Sequence, residues 1–248
     1  MQAGTLLLRK APARLPGPLS EQQHPRARPL NSEYFVDHSL PPAYTAGMTI
    51  PAHQAAADHT REQILNAANS RFQQYGYGKT TMAEIAGDLS MSAANLYRYF
   101  HNKQDIGAGL ALRCFAEKEE LLRGVLLRPG LTAAQRLQEF ILTLVRYIHG
   151  QCSNRPRIHE LVEAVASHRA DIVARKHQGE RALIAEILAE GNRSGEFAIQ
   201  DVVTTAETVL ATLALFSVPL FMQAYPLQAF EDKAVKVAAL LVGGLARR

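Results

Sequence analysis

From Asp58 onward, apolar residues recur with the 3.6-residue period of an α-helix. Ile64, Leu65, Ala68 and Phe72 sit at i, i+1, i+4 and i+8, one stripe of a helix that Asp58 or Thr60 would cap. Gly76 and Gly78 end that stripe. Met82, Ile85 and Ala86 mark a short helix over 81–87, and Leu96 and Phe100 another over 92–100. A longer helix follows from Lys103 to about Leu127, closed by Pro129 and Gly130. Thr132 caps the next, to about His149; Pro156 suits the first turn of one running to about Ser167. The period continues from Asp171 to about Asn192, stops at Arg193-Ser194-Gly195, and resumes over 201–224 and 230–245. No run keeps the two-residue period of a strand, and no repeat is visible. The pattern predicts an all-α fold of about nine helices, the first three forming a small head over 57–104 and the rest a body over 105–248.

Residues 1–56 follow no such pattern. Eight of the twelve prolines fall there, too densely for a continuous helix, so this stretch reads as a disordered arm. Three origins stay open: a transit-like leader, a start placed too far upstream with Met48 as the natural first residue, or a basic arm that touches DNA through Arg26 and Arg28. Leu6, Leu7 and Leu8 make too short an apolar block for a secretory signal.

Composition narrows the class. Of 248 residues, 47% are hydrophobic and 20% charged, an ordinary globular balance, and the formal charge of +4 is compatible with a nucleic-acid partner without indicating one. The longest apolar stretch, 209–222, is shorter than a bilayer span and contains Pro219, so no membrane helix is expected and the chain reads as cytoplasmic. Cys114 and Cys152 have neither disulfide-framework nor metal-type spacing and read as free thiols. No Gly-rich phosphate loop follows a strand and no Ser, His and Asp set has a recognisable context, so no enzyme and no cofactor is expected.

The informative stretch runs Gly76-Tyr77-Gly78-Lys79-Thr80-Thr81-Met82-Ala83-Glu84-Ile85-Ala86 and then Leu89-Ser90-Met91-Ser92-Ala93-Ala94-Asn95-Leu96-Tyr97-Arg98-Tyr99-Phe100. Two short helices joined by a tight turn, with a third packed across them, can hold one helix outward to enter the major groove. Thr80 or Thr81 caps the first of the pair, where free N–H groups suit a phosphate oxygen. Ser92 caps the second, placing Ala93, Ala94 and Asn95 in the turn nearest the base edges. Asn95 can pair with an adenine edge. Tyr97, Arg98 and Tyr99, with Lys103 beyond, form an aromatic and basic cluster for phosphates, while Leu96 and Phe100 turn back to the core.

These two segments, with Asn102 and Lys103 after them, resemble the TetR family of transcriptional regulators over about Thr60 to Leu110. The resemblance implies a nine-helix fold whose first three helices bind an operator and whose remainder dimerises and takes a small-molecule effector, most often with repression relieved by that effector. It assigns phosphate contacts to Thr81, Tyr97, Tyr99 and Lys103 and base readout to Ala93, Ala94 and Asn95. Three positions depart from the family pattern: Ser90 stands where the turn usually has Gly, Ala93 where a polar or basic residue is common, and Gln104 where an acid is common. The first would have to avoid or tolerate a left-handed backbone.

For the body, the apolar residues Leu210, Leu213, Phe216 and Leu220, with Val237 and Leu241 of the last helix, suggest a two-fold homodimer interface. Phe115, Leu122 and Phe140 are candidate apolar walls of an effector cavity, with Tyr147, His159 and Glu163 as polar liners. His149, Cys152, His159, Glu160 and His168 have suitable metal-ligand types, but their spacing matches no compact site, so no metal is expected. The competing reading is a helical adaptor with the same core and no DNA binding.

Overall fold

The computed structural model describes residues 52–155, 157–222 and 224–246, and for Ala52, His53 and Leu220 the backbone alone. Arg26, Arg28 and Met48 lie outside the described residues, and so does Pro156. Eleven helical segments follow in order: α1 (Ala52–Tyr75), α2 (Met82–Asp88), α3 (Ala93–Tyr97), α4 (Lys103–Leu126), α5 (Ala133–Asn154), α6 (Ile158–His168), α7 (Ala170–Ser194), α8 (Val202–Thr212), α9 (Ala214–Ser217), α10 (Pro219–Met222) and α11 (Leu227–Leu245).

Most boundaries follow local chemistry. Thr81 and Glu84 close a reciprocal capping box on α2, and Thr132 and Gln135 do the same on α5. Ser92, Asn102 and Asp201 cap α3, α4 and α8 through their side-chain oxygens, each worth about 1 kcal/mol. Gly195 ends α7 with φ +79°, a conformation that suits glycine. The carboxylate of Glu196 then accepts from the first two amides of α5, Ala133 and Ala134, at 3.0 and 3.1 Å. At the same end, the buried guanidinium of Arg136 donates to the Val125, Leu126 and Arg128 carbonyls, satisfying the C-terminal end of α4.

Two apolar cores result. The head buries Ile64, Phe72, Ile85, Leu96, Phe100 and Ile106 from α1 to α4. The body buries Leu137, Phe140, Ile184, Ile187, Phe216 and Phe230 from α5, α7, α9 and α11. Helix α4 contributes to both, through Ile106 and Leu110 at one end and Leu122 and Val125 at the other.

The structure corrects three expected boundaries. Helix α1 begins at Ala52, within the stretch expected to be disordered, because Ala55, Ala56 and Ala57 favour helix once Pro51 is passed. The last helix begins at Leu227 rather than Phe230, with Pro226 as its cap residue. The single helix expected over 201–224 is three pieces, which accounts for eleven described segments instead of nine. Val218 is extended at ψ 117°, as a residue before proline must tend to be, and Pro219 then opens α10.

Candidate functional site

Helices α2 and α3 form a helix-turn-helix braced by α1 and α4. Leu96 is fully buried and Phe100 nearly so, which anchors one side of α3 in the head. The opposite side faces outward: Ser92, Ala94 and Arg98 are exposed, Ala93, Asn95 and Tyr99 are half-buried, and Tyr97 is 47% exposed. Arg61 of α1 secures the far end of α3, donating to the Tyr99 carbonyl at 2.6 Å and lying 4.3 Å over the Phe100 ring. Arg71 pairs with Asp88 through Nε at 2.5 Å and through Nη2 at 2.9 Å, tying α1 to the end of α2. Held this way, α3 presents its polar groups without having to order them first.

The turn itself bears the departure noted in the sequence. Ser90 adopts φ +53°, the one non-glycine residue in the left-handed region among those described. Its amide bonds to the Gly87 carbonyl and that of Met91 to Ala86, both at 3.0 Å, so the turn geometry usual for glycine is kept with a serine in it.

Two expected DNA contacts are placed differently. Thr80 is 1% exposed and its hydroxyl donates to the Gly76 carbonyl at 2.9 Å, so it packs inside the α1–α2 turn. Thr81 is the exposed cap residue. Lys103 also turns inward: Nζ donates to the carbonyls of Tyr77 (2.7 Å), Gly78 (3.3 Å) and Thr80 (2.8 Å), using all three of its N–H groups. Burial holds its pKa below the usual lysine range. Its role in this conformation is to gather the carbonyls of the 77–80 turn, a job invisible in the sequence because the acceptors are backbone atoms.

A second site lies in the body. A cavity of about 400 Å³ is lined by α1, α4, α5, α6 and α7, with Ser217, Val218 and Pro219 at one side. Phe115 and Tyr147 line it as expected. The other four expected liners do not. Phe140 is fully buried in the body core, Leu122 packs beside a separate small crevice, and His159 and Glu163 lie exposed on α6. These two α6 side chains fall on the turn of that helix facing away from the walls, a rotation the sequence period did not specify.

The residues missed there include three cations and a thiol. Cys114, Lys118, Arg155 and Lys176 all border the cavity. Lys176 and Glu180 are four apart, a spacing that ordinarily signals a solvated surface pair, so nothing in the pattern marks Glu180 as buried. The one proton of the Tyr147 hydroxyl is shared between the Cys114 carbonyl at 2.9 Å and the Glu117 carboxylate at 3.0 Å, and burial pushes its pKa well up. Burial likewise pushes the Cys152 thiol up to about 11, so it stays protonated near neutrality.

Helix α6 joins the two sites. Ile158, Leu161 and Val162 line the cavity, while Glu160 on the same helix accepts from the Gly78 amide at 3.3 Å. Arg169, just past α6, lies 3.6 Å from Asp105 in the first turn of α4.

Of the expected dimer residues, two are buried within the subunit and three are half-buried. Leu213 and Phe216 are 0% and 1% exposed in the body core, and Leu210, Val237 and Leu241 pack against that core. The Leu220 side chain lies outside the described residues. A helix period reveals an apolar stripe but not which neighbour covers it.

Comparison with known proteins accords with this architecture. A profile of bacterial regulatory proteins of the tetR family matches residues 64–110, and one of the tetracyclin repressor-like C-terminal domain matches residues 133–238. The HTH-type transcriptional regulator UidR of Escherichia coli (strain K12) is 28% identical over 145 residues, 58% of this chain and 58% of that protein. The match thus spans somewhat over half the length of that relative. The HTH-type transcriptional repressor BepR of Brucella suis is 25% identical over 176 residues, 64% of this chain and 79% of its own. The crystal structure of a transcriptional regulator from Cytophaga hutchinsonii shares the fold, with TM-score 0.61 and 23% identity over 77% of this chain and all of that one.

Proposed function

Since the chain belongs to the TetR family of regulators, we propose that it is a dimeric, sequence-specific DNA-binding regulator of transcription, controlled by a small molecule. One observation carries the reading: α3 is fastened by Leu96 and Phe100 while Asn95, Tyr97 and Arg98 stay outward and accessible. Asn95 reads a base edge, Ala93 and Ala94 let the helix backbone approach closely, and Ser92, Thr81, Tyr97, Arg98 and Tyr99 hold phosphates. Lys103 supports the head from within.

The cavity is the effector site of this reading. A molecule seated against Ile158 and Leu161 pushes on α6, whose Glu160 holds the α1–α2 turn. Two conformations of α6 with different affinity for the effector couple the two sites. Repression fits the naming of relatives such as BepR.

Dimerisation brings two α3 helices to successive major grooves. The exposed stripe Val235, Ala239, Leu240 and Gly243 on α11 supplies the face, since Leu240 is 78% exposed and its neighbours are small enough for close helix approach.

The test is a gel shift of the full chain on the DNA upstream of its own coding region. Wild type is expected to bind specifically, with Tyr97→Ala and Asn95→Ala weakening binding about tenfold or more at unchanged helical content. Equal behaviour of wild type and both variants would favour the adaptor reading and overturn this one.

A further inference from the structure

The wall of the cavity is mostly apolar, yet Lys118, Arg155, Arg157 and Lys176 border it, and no carboxylate does so among the described residues. The compensation behind the wall is incomplete. Lys118 hydrogen-bonds Glu180, and Lys176 Nζ lies 3.4 Å from the other oxygen of that carboxylate, so two ammonium groups share one anion. Both Lys118 and Glu180 are nine-tenths or more buried, at 2% and 4% exposure. Arg155 has the sulfur of Cys114 at 3.5 Å, a weak acceptor, and no carboxylate within ion-pair distance among the described residues. Cys114 and Lys118 lie one turn apart on α4, which brings Arg155 and Lys118 to the same side of the cavity.

Among the described residues Glu180 is the one carboxylate paired with Lys118 and Lys176, and Lys118 has three N–H donors with one hydrogen-bond acceptor there. Excess positive charge beside an apolar wall is unfavourable until an anion meets it.

We propose that the cavity takes a small apolar monocarboxylate. Its carboxylate meets Lys118 and Lys176, and its body lies against Phe115, Leu161 and Val165. A volume of about 400 Å³ is at the lower end of small-molecule sites. A cation is repelled by the same wall, and a neutral molecule leaves the excess charge unmet. This assignment rests on the reading of the cavity as an effector site.

Three probes of one chain length separate the possibilities: decanoate, 1-decanol and decylamine, titrated calorimetrically into the full-length protein. Decanoate is expected to bind at least tenfold tighter than decanol, with decylamine weakest. Lys176→Met, at a position less buried than Lys118, is expected to weaken decanoate at least tenfold and leave decanol within twofold. Decanol or decylamine binding as tightly as decanoate overturns the acid assignment while leaving the cavity as a ligand site. Unchanged decanoate affinity in Lys176→Met overturns the placement of the carboxylate. If none of the three binds wild type at millimolar concentration, the acid assignment and the effector-site reading both fall. Operator binding by the ligand-free protein is scored separately and survives that result.

Discussion

Glu160 on α6 accepts a hydrogen bond from the amide of Gly78, 82 residues earlier in the chain, at 3.3 Å. The same carboxylate crowds Gly76, where a built Cβ would lie 2.7 Å from Oε2 and where φ is +92°. One side chain of the body therefore grips the turn that leads into the helix-turn-helix.

Gly76→Ala is expected to destabilise the protein by about 1–2 kcal/mol, because a left-handed backbone and the Glu160 oxygens both oppose a Cβ. Adding Glu160→Ala removes the steric part and should recover some of that loss, while the backbone part stays. Glu160→Ala alone should speed amide exchange at Gly78 by roughly five- to tenfold, the equivalent of about one hydrogen bond. Chemical denaturation and hydrogen exchange read these outcomes, and full additivity of the two substitutions would show that the grip is absent in solution.

Ser90 occupies a left-handed position at φ +53° in the α2–α3 turn. Ser90→Gly should raise stability by about 0.5–1 kcal/mol, the strain of a side chain in that region outweighing the added freedom of the unfolded chain. Ser90→Val should lower it by more than that, since branching at Cβ makes the same φ harder to reach. Thermal midpoints of the three proteins decide the order; a less stable glycine variant contradicts it.

Lys103 and Arg98 should separate in their dependence on salt. Arg98 is exposed and is proposed above to hold a phosphate, so Arg98→Ala should weaken DNA binding and reduce the slope of log affinity against log salt by about 1. Lys103→Met should leave that slope unchanged and instead destabilise the head by about 1–3 kcal/mol, because three turn carbonyls lose their cationic donor. A reduced slope for the lysine variant would mean that Nζ leaves the turn to reach DNA.

Leu240 and Leu213 make the contrast for assembly. Leu240→Glu should shift a sedimenting dimer toward monomer with helicity retained, given its 78% exposure on α11. Leu213→Ala should keep the oligomeric state and cost about 2–5 kcal/mol of stability, as a cavity in a filled core does. The reverse pattern would return the interface to the face expected from the sequence.

Most of the helices, and the head, are legible in the order of the residues. Periodic apolar residues such as Ile64, Ala68 and Phe72, capping residues such as Thr132, and the paired segments around Met82 and Leu96 act through neighbours a few positions away, so their roles are written locally. Which face of each helix meets which other is set by packing between distant segments. Phe216 and Leu213 turn inward, Lys103 turns to backbone carbonyls, and Lys118 finds Glu180 across 62 positions. The physical reason is that a 3.6-residue period fixes the angle between side chains on one helix but not the rotation of that helix against its neighbours. That rotation is chosen by the packing of all the helices together.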